Sequence, residues 1–122
     1  MIIAHTFAGY IISDKLLKIV NHGSLSSNIF ILSGMLGAIA PDIDLIYFYP
    51  IDNKQHHHHS YFTHLPISWL ILLAISIICS KLKPSNFSLL FFIFTLNGLL
   101  HLLLDSMSGQ IKWLLPFNNK SF

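Results

Sequence analysis

Four apolar segments, separated by polar stretches, set the pattern of this chain. They cover residues 2–20, 28–40, 65–80 and 86–104. None shows the strict alternation of apolar and polar positions that indicates a half-buried strand, and their lengths are typical of helices. Short connections favour neighbouring helices that run up and down. The pattern therefore predicts an all-α bundle of about four apolar helices, in one domain over residues 1–122.

The lengths of these segments point to a membrane. A helix needs about 20 apolar residues to cross the hydrocarbon core of a bilayer. Residues 86–104 are long enough and residues 65–80 are borderline, while the first two segments have the length of short, tilted or partly inserted helices. The pattern leaves the number of complete spans open.

Composition strengthens the membrane interpretation. Hydrophobic residues make up 53% of the chain and charged residues only 10%, with no glutamate and no arginine, whereas a typical soluble domain is about 25% charged. Such a chain cannot cover its surface with polar groups, so we expect a lipid-facing exterior and a lipid bilayer as partner. The net charge of +2 comes from scattered lysines, which excludes the clustered basic patch of a nucleic-acid-binding protein. Nothing in the sequence indicates an oligomeric state.

Side chains that bind divalent metals well lie at the ends of these segments. In an up-and-down bundle the starts of the first and third helices meet the ends of the second and fourth, so seven such residues converge on one end. They are His5 at the start of the first segment, Asp42 and Asp44 after the second, His59 and His64 before the third, and His101 and Asp105 at the end of the fourth.

The spacing within two pairs suits a shared ion. His101 and Asp105 are four residues apart on a predicted helix, which places their Cβ atoms about 5–6 Å apart on one face. Asp42 and Asp44 follow Pro41, where we expect extended backbone, and residues i and i+2 of an extended stretch point the same way. Both carboxylates are therefore predicted to face the metal, although Asp42 taken alone also suits a turn after proline.

The histidines differ in how strongly they indicate a ligand. The spacing of His59 from His64 favours these two, with His58 as the alternative to His59. His5 taken alone is more typical of a buried core histidine, and the sequence neighbours of His59 belong to a tract of a kind that binds metals adventitiously. We therefore leave out His56, His57 and the isolated His22.

Mixed His and Asp donors favour zinc, with manganese or iron as alternatives, over calcium or magnesium. Seven donors exceed what one tetrahedral ion uses, so we expect two ions about 3.5–4 Å apart.

Such ions favour hydrolysis, because a bound ion lowers the pKa of water to about 7 and polarises a carbonyl or phosphoryl oxygen. Asp44 or Asp105 is then the predicted base. Thr63 and Ser106 are interpreted as caps or as hydrogen-bond partners of the ligands.

The aromatic residues on the same side are typical of an interfacial belt, which places the site near the level of the lipid headgroups. They are Tyr47, Phe48, Tyr49, Tyr61, Trp69, Trp113 and Phe117.

Four motifs, taken together, resemble the YdjM-type family of inner-membrane-associated, metal-dependent hydrolases. They are the early His5, the stretch Pro41-Asp42-Ile43-Asp44, the stretch His59-Ser-Tyr-Phe-Thr63-His64 and the stretch His101-Leu-Leu-Leu-Asp105. The resemblance covers nearly the whole chain. It implies a bacterial inner-membrane protein with a metal site, distantly similar to the zinc-dependent phospholipase C and nuclease P1 group, which hydrolyses phosphoesters.

Two functions follow as hypotheses. The first is hydrolysis of a phosphoester, such as a lipid headgroup, by metal-activated water. The alternative is a non-enzymatic membrane protein with a structural or sensory metal site, which fills every coordination position with protein. A small transporter fits less well, because the ligands map to helix ends rather than to helix centres.

Overall fold

The structure confirms the predicted all-helical fold. The computed structural model describes residues 2–45, 49–51, 62–108, 111 and 117. This part of the chain forms four α-helices and two short 3₁₀ helices, and contains no strand. The α-helices are α1 (Ile2–Leu17), α2 (Ser27–Ile39), α3 (Pro66–Leu82) and α4 (Asn86–Ser108), and the 3₁₀ helices are Ala40–Asp44 and Phe62–His64.

Two helix ends differ from the sequence prediction by three residues or more. Helix α1 ends at Leu17 rather than at residue 20, because the chain tightens into a turn in which the Ile19 amide donates to the Leu16 carbonyl (3.0 Å). Helix α4 continues to Ser108. Asp105 therefore lies inside its last turns instead of closing the helix. Histidines from other segments contact its carboxylate there.

The backbone that carries Asp42 and Asp44 also differs from the prediction. It forms the 3₁₀ helix Ala40–Asp44 rather than an extended stretch. Pro41 stands at its start, where a fixed φ and a missing N–H are tolerated. Because a 3₁₀ helix has three residues per turn, residues two apart point in directions roughly 120° apart around its axis. The two carboxylates consequently take different positions in the site.

Helices α2 and α4 form the centre of the bundle. Helix α1 packs against α2, α2 against α4, and α3 against α4. Two glycines allow close approach: a Cβ on Gly37 would collide with the backbone of Phe94, and one on Gly98 with the ring of Trp69. These contacts bring the end of α2 and the start of α3 beside the last turns of α4.

The distribution of buried side chains is unlike that of a typical soluble core. Among the described residues, buried polar or charged side chains outnumber buried apolar ones, and many large apolar side chains of α1 and α3 are exposed. A small apolar cluster of Leu25, Phe30 and Ile93 lies towards the end that joins α1 to α2. One described helix is long and apolar enough to cross a membrane, over Asn86–Met107 with a mean hydropathy of 2.1, and Pro66–Leu82 is apolar but shorter.

Candidate metal centre

Six of the seven predicted residues meet at one end of the bundle. His5 comes from the first turns of α1, Asp42 and Asp44 from the 3₁₀ helix after α2, His64 from the 3₁₀ helix before α3, and His101 and Asp105 from the end of α4. None of the six is more than 7% exposed. The seventh, His59, and its alternative His58 lie outside the described residues.

Four of these residues form a compact group of donors. Asp42, His64, His101 and Asp105 each offer one ligand atom, and the four atoms lie within 4.8 Å of one another. The group contains two imidazole nitrogens and two carboxylate oxygens from three separate segments of the chain. Such a buried group can hold a metal ion.

The distances between the donor atoms match those around a single ion. His101 Nε2 lies 3.0 Å from Asp105 Oδ2 and 3.5 Å from Asp42 Oδ1. His64 Nε2 lies 3.6 Å from Asp105 Oδ2 and 3.7 Å from Asp42 Oδ1. Ligands bound at about 2.0 Å to a tetrahedral ion are about 3.3 Å apart. These four distances are close to that spacing, and no two of the four donor atoms are more than 4.8 Å apart.

Hydrogen bonds on the far side of each ring orient these imidazoles. The His101 Nδ1–H donates to the backbone carbonyl of Ala38 (2.5 Å). The His64 Nδ1–H donates to Asp44 Oδ2 (2.7 Å), and the Thr63 hydroxyl donates to the same oxygen (2.7 Å). With Nδ1 as the donor in both rings, each Nε2 faces the other donors and carries the lone pair whenever the ring is neutral. Metal-binding histidines are commonly held by partners of this kind.

His5 lies against the group without belonging to it. Its ring stacks on that of His101 at 3.9 Å between centroids, and its Nε2 lies 2.9 Å from Asp105 Oδ1. Although this approach and the 3.0 Å approach of His101 Nε2 to Asp105 are close, neither histidine nitrogen has hydrogen-bond geometry with the carboxylate. Nitrogen and oxygen atoms that approach in this way are expected where their lone pairs face a common cation.

The charges of the metal-free group are strongly coupled. Burial disfavours a charged imidazole at His64, but the neighbouring carboxylates of Asp105, Asp42 and Asp44 outweigh it and raise the pKa of His64 to about 10. Burial would likewise raise the pKa of Asp42, yet the adjacent imidazoles of His101 and His64 hold that pKa well below its usual range. The site thus holds a proton in the place where a divalent cation would supply the positive charge.

Asp44 occupies a different position from the other two site carboxylates. Its Oδ2 accepts hydrogen bonds from Thr63 and His64, and the residue lies behind His64, outside the four-donor group. Thr63, interpreted from the sequence as a cap or as a hydrogen-bond partner in the site, does donate a hydrogen bond to Asp44. Ser106, by contrast, donates to the Leu102 carbonyl within α4 (2.8 Å).

Two contributors to the site were missed or misassigned at the sequence level. The Ala38 carbonyl orients His101, and a backbone acceptor leaves no mark in a sequence. Trp69 was expected in an interfacial belt, but it is only 6% exposed, and its Nε1–H donates to the Thr63 carbonyl (2.8 Å). Gly98 leaves room for the Trp69 ring, and this glycine was the sequence signal that could have indicated the packing. Of the other belt residues, Tyr49 and Phe117 are exposed, and Tyr47, Phe48, Tyr61 and Trp113 lie outside the described residues.

The fold and the site define a membrane-associated helical protein with a buried His and Asp cluster able to hold a metal ion. The model of the YdjM inner membrane protein family matches residues 1–122. The chain belongs to this family, and its location is the inner membrane. No curated protein matches it, and neither does any solved structure.

Proposed function

We propose that the protein is a metal-dependent hydrolase of the inner membrane that acts on a phosphoester, with the lipid headgroups of that membrane as the most accessible substrates. The observation that carries this proposal is the group of four buried donor atoms within 4.8 Å of one another. Four charged or polar side chains do not converge in a protein interior without compensation, and a bound cation provides it.

The described residues favour one ion rather than the two expected from the count of ligands. Asp42, His64, His101 and Asp105 would hold it, and this set of two imidazole and two carboxylate donors suits zinc, with manganese or iron as alternatives. A second ion would need donors beyond this group. Among the described residues, His5 Nε2 and Asp105 Oδ1 lie beside the group, 2.9 Å from each other.

Each surrounding residue has a distinct task in this proposal. Asp44 and Thr63 position His64, so that its Nε2 stays turned towards the ion. Asp105 offers Oδ2 to the ion and is the residue best placed to accept a proton at Oδ1, beside His5 Nε2. Asp44, the other predicted base, serves through His64 as a positioning residue. A divalent ion at this place supplies the remaining chemistry, since it polarises a phosphoryl oxygen and acidifies water to a pKa of about 7.

Metal analysis of the detergent-purified protein tests the site. We expect one divalent metal per chain in the wild type and almost none in His64→Ala, because a ligand is lost. Asp44→Ala should keep the site but bind metal about 10–100-fold more weakly, as loss of an orienting partner typically does. His22→Ala is the matched control, since His22 contacts the Leu25 carbonyl far from the group. Full metal content in His64→Ala would contradict the proposed site.

Turnover is tested separately with generic phosphomonoester and phosphodiester substrates. Activity should disappear with a chelator, return with the metal, and fall in Asp105→Asn. Absence of turnover in the fully metal-loaded protein on soluble and lipid phosphoesters would reject the hydrolase and leave the metal site standing.

A structural or sensory metal site is the second candidate, and one observation favours it. The four protein donors are almost fully buried and would fill a tetrahedral shell by themselves, as in structural zinc sites. A metal-loaded crystal structure discriminates the two. A water or an anion on the ion supports the hydrolase, whereas a shell of four protein atoms alone supports the structural site.

A further inference from the structure

The end of the bundle remote from the metal group carries two adjoining cavities of opposite character. The first has a volume of about 380 Å³ and is lined mainly by polar residues, among them Asn21, His22, Ser85 and Asn86. The second has a volume of about 230 Å³ and is lined mainly by apolar residues, among them Val20, Ile77 and Phe92, with Lys81. Ser80 and Leu89 line both cavities, so the two adjoin.

The charges around the cavities favour an anion. Lys81 lines the apolar cavity. No described residue that lines either cavity is acidic. The acidic residue of this end, Asp14, already pairs with Lys18 at 2.9 Å. An anion in the polar cavity would therefore meet no competing carboxylate, and Lys81 stands in the wall of the adjoining cavity, next in sequence to Ser80, which lines both.

The polar cavity also has a defined wall. Ser85 and Ser88 bind each other across the start of α4: the Ser85 amide donates to Ser88 Oγ (2.9 Å), and the Ser88 amide donates to Ser85 Oγ (3.1 Å). His22 Nδ1–H donates to the Leu25 carbonyl (3.1 Å), which leaves Nε2 as the ring atom for a ligand. The positive end of the α4 dipole adds to the attraction for an anion.

We propose that these two cavities bind one anionic phospholipid, with its phosphate headgroup in the polar cavity and the start of an acyl chain in the apolar one. Asn86 begins the segment able to span the membrane, so the polar cavity lies at the level of the bilayer surface. A polar pocket that continues into an apolar slot matches an amphiphile better than a free phosphate. Basic pockets on membrane helices recognise anionic lipids in this way.

Native mass spectrometry of the full chain in detergent, titrated with phosphatidylglycerol, tests the headgroup half of the site. Lys81→Ala should weaken the binding of the first lipid about fivefold, the effect of one lysine near an anionic lipid surface. Lys83→Ala removes the same charge from an exposed residue that lines neither cavity, and it should change the binding less than twofold. Equal losses in both variants would show diffuse surface charge and overturn the proposal.

A second pair of variants tests the tail half. Ile77→Trp fills the apolar cavity from its exposed side, and Ile78→Trp adds the same ring to the neighbouring exposed position, which lines neither cavity. We expect lipid binding to fall in Ile77→Trp alone. Equal binding by the two variants contradicts the tail slot, provided that circular dichroism shows the same helix content and melting temperature for both.

A neutral lipid and inorganic phosphate distinguish the binding of an anionic lipid from the binding of free phosphate. Phosphatidylcholine at the same concentration should bind at least fivefold more weakly than phosphatidylglycerol. Inorganic phosphate at 10 mM, roughly 10,000 times a micromolar dissociation constant, should leave the bound lipid in place. Displacement by phosphate would reduce the site to an anion pocket and overturn the proposal. Metal content should not change in any of these variants, so the outcome is independent of the metal site.

Discussion

The two ends of the bundle use polar side chains in opposite ways. At the metal end, buried or half-buried residues bind partners 19, 20 and 63 positions away in the sequence, as in Thr63 to Asp44, His64 to Asp44 and His101 to Ala38. At the other end, Lys18 pairs with Asp14 and His22 binds Leu25, only four and three positions away. Local pairs can form in an isolated helix or turn, whereas the distant ones exist only when the whole bundle is assembled.

This contrast distinguishes a buried binding site from a solvent-exposed surface. Exposed pairs contribute little to stability, because water solvates both groups in the unfolded chain as well. Buried groups have lost that solvation, so each depends on all its partners and the removal of one leaves the others uncompensated. Mutations at the two ends should therefore differ in how strongly they change stability and metal binding, and four predictions measure that difference.

The largest expected effect comes from Asp105, whose carboxylate lies within 4 Å of three histidines. Asp105→Ala should abolish metal binding and lower the free energy of unfolding of the metal-free protein by about 3–5 kcal/mol. Asp14→Ala is the matched control at the other end and should cost less than about 0.5 kcal/mol. Denaturant unfolding in detergent, together with metal analysis, measures both; similar small losses would remove the contrast between the ends.

The stability of the metal-free protein should depend on pH through the buried group. The pKa of His64 is raised from 6.5 to about 10, so its contribution to stability is complete below pH 6.5 and is lost as the pH rises towards 10. The pKa of Asp42 is lowered from 3.8, so its contribution is lost as the pH falls below that value. Metal affinity should instead rise with pH, by about tenfold per unit where one proton is displaced.

Thermal melts of metal-free and metal-loaded protein between pH 4 and 10, a range set by these pKa values, provide the measurement. His64→Gln should flatten the alkaline loss in the metal-free protein. An unchanged alkaline loss in that variant would assign it to another group.

The third prediction concerns the close contact that positions the site. Gly37→Ala places a methyl group against the backbone of Phe94 and should destabilise the fold by about 1–3 kcal/mol. Because the next residues of α2 supply Ala38 and lead to Asp42, metal affinity should fall as well. Unfolding and metal titration measure the two effects, and loss of stability with full metal affinity would show that the site tolerates movement of α2.

The smallest effect is expected from one hydrogen bond. Thr63→Val removes the hydroxyl that donates to Asp44 Oδ2 and should cost about 1 kcal/mol, with metal affinity about tenfold lower. Thr6→Val, its control, removes a local bond from an exposed hydroxyl to the Ile2 carbonyl and should leave metal affinity unchanged. Equal metal affinities in the two variants would show that Asp44 needs no second partner.

The order of the segments was enough to predict much of this protein. Four apolar helices, the convergence of His5, Asp42, His64, His101 and Asp105, and the likeness to an inner-membrane family all follow from the pattern of positions, because hydrophobic periodicity and chain connectivity are local or additive properties. The fold class and the family are confirmed. The metal-binding roles of these residues stay predictions.

Tertiary structure decided how the convergent residues divide their tasks. Asp42 and Asp44 differ by two positions, yet the 3₁₀ backbone turns one towards the other donors and the other behind His64. The Ala38 carbonyl orients His101, and the ring of Trp69 is buried against Gly98 rather than placed at the membrane surface. A sequence specifies which side chains reach one end of a bundle. Which atoms face each other there depends on shifts of an ångström or less in helix rotation and approach, and only packing of the whole chain sets these.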